Sequence, residues 1–213
     1  MSWITRQLGT ARVVCTDAAV GDVVTRGTDG SGPVWLAHQV HGADLVAVPA
    51  GGIESATADA LITDVPNTAL GVRTADCVPV VLVADDGDAI AVVHSGWPGT
   101  LAGVVPRAID ALRRGGANTI DAVIGPCIRA CSYEFGADQL RTFVNRFGSA
   151  VHTRTAWGTD ALDLVAAVRT QLEAGDVASI DDVEIDTFTS TAHCSYRRDA
   201  TSDRNVTLAW IRG

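Results

Sequence analysis

Lysine is missing from this sequence; all 16 basic residues are arginine. That absence excludes Schiff-base catalysis, pyridoxal phosphate attachment and the lysine of a phosphate-binding P-loop. Aromatic residues make up only 5% of the chain and methionine occurs once, so Ala, Val and Leu must build the core. No apolar run approaches the roughly 20 residues a membrane helix requires. The longest, Val78 to Val93, is cut by Asp85-Asp86-Gly87-Asp88. The N-terminus lacks the basic-then-apolar layout of a signal peptide, so the expectation is a cytoplasmic protein with no membrane partner. A formal net charge of −9 argues against a nucleic-acid binder, which needs a basic face. It leaves room for a local arginine cluster around one small anion.

The five cysteines, at 15, 77, 127, 131 and 194, are an odd number in a chain without an export signal. Disulfides are not expected, and each thiol is either a small buried hydrophobe or a reactive or metal-binding group. The 213 residues suit a single domain, 1–213, and show no repeat, linker or low-complexity tract. Val, Ile and Leu runs bounded by Gly, Pro, Asp or Asn predict strands at Ala11–Thr16, Pro33–Val40, Leu45–Val48, Ala60–Thr63, Ala69–Thr74, Val78–Ala84 and Ala89–His94. Further strands are expected at Asp121–Ile124, Val183–Asp186 and Asn205–Ile211. Helical spacing joins Leu101, Val104, Val105, Ala108 and Leu112, with Thr100 as a cap, Pro106 as a kink or true start, and Gly115-Gly116 as the stop. A second helix is expected through Leu140, Phe143, Val144 and Phe147, ending at Gly148. A third runs through Ala161, Leu164, Val165, Val168 and Leu172, capped by Thr159 and stopped by Gly175. The fold class is α/β (α+β), with helices covering mixed β-sheets.

The most informative stretch is Thr74-Ala75-Asp76-Cys77-Val78-Pro79, followed by the Asp85–Asp88 turn and by His94-Ser95-Gly96-Trp97. A tight turn between two apolar runs is a strong hairpin signal. Centred on Asp86-Gly87, it sets Pro79 opposite His94 and Cys77 opposite Gly96. Side chains alternate, so Cys77 and His94 become diagonal neighbours on one face, about 7–8 Å apart at the backbone. His41, at the end of a strand running into Gly42, is the candidate third member; His38 points to the opposite face of a straight strand. A thiolate with two imidazoles suits zinc, and three protein ligands leave one position open for water or substrate. Zinc lowers the pKa of such a water towards neutrality.

These pieces occur in a familiar order: Gln39-Val40-His41-Gly42, Ala58-Asp59-Ala60-Leu61-Ile62-Thr63, Thr74-Ala75-Asp76-Cys77-Val78-Pro79, His94-Ser95-Gly96-Trp97, Ile124-Gly125-Pro126-Cys127-Ile128 and Ser195-Tyr196-Arg197-Arg198-Asp199. Together they resemble the laccase-domain family, long labelled multicopper polyphenol oxidases. The resemblance runs from about residue 33 to the C-terminus. It implies a layered sandwich of sheets and one zinc on His41, Cys77 and His94. It also implies phosphorolysis of adenosine, inosine or guanosine, with phosphate as co-substrate, and hydrolytic deamination of adenosine. Some bacterial relatives are described instead as peptidoglycan editing factors. A copper oxidase needs many imidazole ligands, and five histidines fit one zinc better. The sequence departs from the family at Pro98, where an arginine is usual, and at Ser202-Asp203-Arg204 in place of Thr-Gly-Arg. The segment before Pro33 is short, without a helix, and Thr187–Cys194 is compressed.

Within that frame Cys77, Asp76 and His94 are the catalytic candidates, Asp76 as proton carrier or as support for the site. Gln39, Arg73 and Arg197 are the substrate-binding candidates, the two arginines as anion clamps. Trp97 either stacks a base or belongs to the core. Pro126-Cys127-Ile128-Arg129-Ala130-Cys131 is similar to a zinc deaminase motif, but it has one residue too many and the chain contains no His-x-Glu. Packing is the better reading there, with Cys127 a possible lining residue. His38, His152 and His193 read as structural. Two rivals use the same residues differently: a metal-free hydrolase with Cys77 as nucleophile and His94 as base, and a zinc-stabilised binding module without turnover.

Overall fold

The structure is a computed structural model and describes residues 3–18, 31 and 34–213. Two sheets and a helical layer stack on one another. The first sheet contains β1 (Ile4–Leu8), β2 (Ala11–Cys15), β3 (Val34–Trp35), β6 (Ala69–Thr74) and β13 (Asn205–Ile211), in the order β1-β2-β13-β6-β3. The second contains β4 (Leu45–Ala47), β5 (Ala60–Thr63), β7 (Val78–Ala84), β8 (Ala89–Ser95), β9 (Ile120–Ile124) and β12 (Ser179–Asp182), in the order β12-β9-β7-β8-β5-β4. A short pair, β10 (His152–Arg154) and β11 (Asp160–Leu162), stands apart. The helices are α1 (Trp97–Ala102), α2 (Val104–Arg114), α3 (Ala137–Phe147), α4 (Leu164–Ala174) and α5 (Tyr196–Asp199).

β7 explains the layering. Its sequence Val-Pro-Val-Val-Leu-Val-Ala is apolar at every position because both of its faces are covered. Val78, Val80 and Leu82 pack towards α2 and α4, while Val81 and Val83 face Leu70, Val72 and Ala209 of the first sheet. β8 alternates likewise, with Ala91 and Val93 on the helical side and Ile90 and Val92 between the sheets. Cys77 and Pro79 share parity with Val81, and His94 with Val92. The two donors of the hairpin therefore lie at one end of the space between the sheets.

Several boundaries differ from the sequence expectation. Of the stretch Pro33–Val40, only Val34–Trp35 forms a strand; Pro33, like residues 19–30 and 32, lies outside the described residues. Beyond Trp35 the chain leaves the sheet, and the Gln39 side-chain amide takes over the partner's role. Its Oε1 accepts from the N–H of Arg73 and its Nε2 donates to the Arg73 carbonyl, both at 2.8 Å. The first expected helix is two, broken at Gly103, whose φ of 83° ends α1 in a left-handed turn. Pro106 sits within the first turn of α2, where its missing N–H costs nothing. Thr100 is no cap; it lies inside α1 and donates to the Gly96 carbonyl. Asp163, not Thr159, caps α4, accepting from the N–H of Ala166 at 2.8 Å, and Ala161 belongs to β11. The strand expected at Val183–Asp186 forms earlier, at Ser179–Asp182. Its polar residues conceal an edge strand, paired parallel to β9.

Candidate metal centre

The β7–β8 hairpin turns through the four residues Asp85–Asp88, of which Asp85, Asp86 and Gly87 have φ of 43°, 61° and 112°. Asp and Gly tolerate that region best. The register that follows pairs Pro79 with His94 and Val78 with Ser95. Cys77 lies one step beyond the last pair, opposite Gly96. A Cβ on Gly96 would lie 3.2 Å from Cys77 Sγ and 2.6 Å from His41 Cδ2, so only glycine leaves room for both side chains.

His41 arrives from a loop, with φ of 60°. Asp59 holds it there. Its carboxylate accepts the N–H groups of Val40, His41 and Gly42 at 3.3, 2.9 and 2.7 Å. The same carboxylate meets Nδ1 of His94 at 2.7 Å. Asp59 is 1% exposed and, between Ala58 and Ala60, immediately precedes β5. It was missed as a functional residue. The one signal for it is a lone acid between small buried residues at a strand start. With Nδ1 committed to Asp59, Nε2 is the His94 nitrogen left to serve the site.

The donor atoms of His41, Cys77 and His94 all lie within 4.8 Å of one another. Cys77 Sγ stands 3.7 Å from His41 Nε2, and the two imidazoles meet edge to face at 4.7 Å. Burial disfavours the Cys77 thiolate, but hydrogen bonds and charge from His41 and His94 outweigh it and bring its pKa down to about 7. Burial also opposes charge on His94, yet Asp59 and Cys77 carry it up to about 9. This is a thiolate stabilised by imidazole, backed by a carboxylate. One sulfur and two nitrogens with a hydrogen-bonded second ring nitrogen form a donor set that fits a single zinc ion. Among the described residues this is the only such group of three, which does not fit a cluster of several coppers.

The donors sit at the head of a cleft of about 630 Å³, walled further by His38, Gln39, Arg73, Tyr196 and Arg204. Other candidates lie elsewhere. Asp76, with φ of 92°, turns its carboxylate to Thr187 Oγ1 at 2.7 Å and to the Arg197 N–H at 2.6 Å, and it does not line the cleft. Arg197 lays its guanidinium over the Tyr133 ring, 4.9 Å from the centroid, and donates to the Glu134 carbonyl, outside the cleft wall. Arg198 donates to the carbonyls of Thr187, Phe188, Ser190 and His193, pinning the compressed segment. Trp97 meets Phe135 edge to face. Cys127 is buried in the core, and desolvation pushes its thiol up to about 12. His152 pairs with Asp160, and His193 with Ser190; His38, read as structural, stands on the cleft wall. Arg204 was not singled out as a site residue; its place depends on the pairing of β13 with β6.

Comparison with known proteins bears on the family and the fold. A purine nucleoside phosphorylase of Streptomyces coelicolor is 39% identical over 189 residues, 87% of this chain and 77% of the relative. One from Xylella fastidiosa is 39% identical over 189 residues, 84% of this chain and 72% of the relative. Among solved structures, YlmD from Geobacillus stearothermophilus superposes with a TM-score of 0.84 at 24% identity, over all of this chain and 97% of that one. A Neisseria meningitidis protein, NMB0706, gives 0.83 at 24%, over the whole of both chains. No helix among the described residues is long and apolar enough to cross a membrane. The family described as multi-copper polyphenol oxidoreductase laccase matches residues 22–212, and the chain belongs to it.

Proposed function

We propose that this chain is a zinc-dependent purine nucleoside phosphorylase whose site also deaminates adenosine. The observation that carries the reading is the His41–Cys77–His94 group, backed by Asp59, at the head of a cleft large enough for a nucleoside. Relatives 36–39% identical that bear the phosphorylase name support it. When bound, zinc supplies a Lewis acid and acidifies a water. The chain's own residues do the rest. Asp59 fixes the His94 tautomer and holds the His41 loop. Gln39 locks that loop to Arg73, and Asp76 anchors α5, which presents Tyr196 to the cleft. In phosphorolysis a phosphate oxygen bonds to ribose C1′ as the C1′–N9 bond breaks, and the purine departs with the electron pair and gains a proton. Deamination consumes water and releases ammonia from C6.

The test is direct. Zinc-loaded protein incubated with inosine and phosphate should yield hypoxanthine and ribose 1-phosphate, and Cys77→Ala should abolish the reaction. Turnover unaffected in that variant would sink the reading.

A second reading is favoured by one observation. Without metal, Cys77, His94 and Asp59 form a thiolate–imidazole–carboxylate relay of the kind cysteine hydrolases use. Chelation separates the two, since it stops a zinc enzyme and spares a cysteine hydrolase.

A further inference from the structure

The wall of the cleft has a charge that the rest of the protein does not share. The chain carries 25 acidic residues against 16 arginines, yet among the described residues no Asp or Glu lines this cleft. Arg73 and Arg204 do. They come from adjacent strands in a fixed register: β13 runs antiparallel to β6, pairing Asn205 with Thr74 and Val206 with Arg73. Arg204, one residue before Asn205, is therefore the diagonal neighbour of Arg73 on the same face, about 7–8 Å away at the backbone.

Neither guanidinium is used up. The Arg73 side chain makes no hydrogen bond or ion pair among the described residues; its only hydrogen bonds are backbone ones to Gln39. Arg204 engages Nη1 with the carbonyls of Thr201 and Asp203, which holds the side chain and leaves its other nitrogens open. Tyr196, which lines the same cleft, is 60% exposed. Two guanidinium forks on one wall without a competing carboxylate match a tetrahedral oxyanion, which they bind through paired charge-assisted hydrogen bonds.

We infer that Arg73 and Arg204 form a clamp for inorganic phosphate in the cleft beside the metal centre. Arg197, stacked on Tyr133, does not line this cleft. The inference rests on the phosphorylase reading for its choice of anion, and the experiment keeps the two apart.

Zinc-loaded wild type, Arg73→Gln, Arg204→Gln and the double variant are titrated with inorganic phosphate by calorimetry. Inosine phosphorolysis is then measured over a range of phosphate and inosine concentrations, with zinc content and circular dichroism confirming the fold. The expected result is a phosphate KM raised about 10–100-fold in each single variant, with the inosine KM little changed. Arg204→Lys, which keeps charge without the fork, should recover part of the loss. Phosphorolysis with an unchanged phosphate KM in the double variant overturns the clamp and leaves the phosphorylase reading standing. Phosphate binding that the double variant loses, with no inosine cleavage by wild type, upholds the clamp and removes that reading. A nucleoside 5′-monophosphate that displaces phosphate and binds at least tenfold tighter overturns the assignment to inorganic phosphate.

Discussion

Asp59 reaches His94 through a 2.7 Å contact at Nδ1 while its carboxylate also gathers three consecutive backbone N–H groups from the loop that carries His41. One buried acid thus sets the position of two of the three donors. Replacing it with Asn keeps its volume and removes its charge and one acceptor. Asp59→Asn should weaken zinc binding about 10–100-fold, measured by competition with a chromogenic chelator, with the folded signal retained. Unchanged affinity would mean that the His41 loop needs no such anchor.

The Cys77 thiol, brought down to about 7, predicts a specific pH dependence in metal-free protein. A thiol lowered below its ordinary value is mostly thiolate above the lowered pKa. Alkylation at Cys77 should therefore rise through about pH 7, well before an ordinary cysteine reacts. Peptide mapping distinguishes it from exposed Cys131. His94→Ala should move the midpoint upward, and added zinc should protect the residue. A midpoint near pH 9 in wild type would contradict the geometry.

Gly96 offers a test by volume alone. A methyl there would press on His41 Cδ2 at 2.6 Å and on the Cys77 sulfur. Gly96→Ala should lower metal stoichiometry from near one to a small fraction, read by elemental mass spectrometry, and cost about 1–3 kcal/mol in stability. Full metal loading in this variant would show that the ring has another place to go.

Far from the cleft, Asp182 is buried between Arg129 and Arg169, at 2.5 and 3.1 Å. Burial works against its charge, but Arg129, the Glu184 N–H and Arg169 hold the carboxyl below the ordinary range. A depressed carboxyl adds stability above its unfolded pKa and loses it as pH falls through the folded value. Asp182→Asn should cost about 3–5 kcal/mol at pH 7 and less in acid, so urea midpoints of variant and wild type should converge as pH drops below about 4. Parallel curves would show that the pair contributes nothing through its charge.

Local chemistry made half of the centre readable. The Asp85–Asp88 turn fixes the hairpin register, and strand alternation then places Cys77 beside His94 with no distant information. The strands β7 and β8 themselves were visible in the same way, as apolar runs on either side of that turn. Asp59 and Arg204 were hidden because their partners are set by pairing across the fold. Asp59 meets His94 35 positions away, and Arg204 meets Arg73 only once β13 has found β6. Gln39 reads from sequence either as a residue that orients substrate or as a cap on a strand end, and it lines the cleft. Its carbonyl and amino groups complete a sheet edge where the backbone has turned away, which agrees with the second of these. β12 went unread because Ser-Ile-Asp-Asp has the composition of a loop, and its pairing with β9 overrides that.

The place of β13 between β2 and β6 has a consequence for synthesis. Thr16 accepts the N–H of Val206 across 190 positions, so the first sheet cannot zip until the ribosome has released residues 205–211. Until then β2 and β6 present facing edges with unmet hydrogen bonds, and the cleft lacks Tyr196 and Arg204. The nascent chain must carry that open seam from the synthesis of residues 69–74 until residues 205–211 emerge, which slows folding and exposes it to strand-edge association and to chaperones.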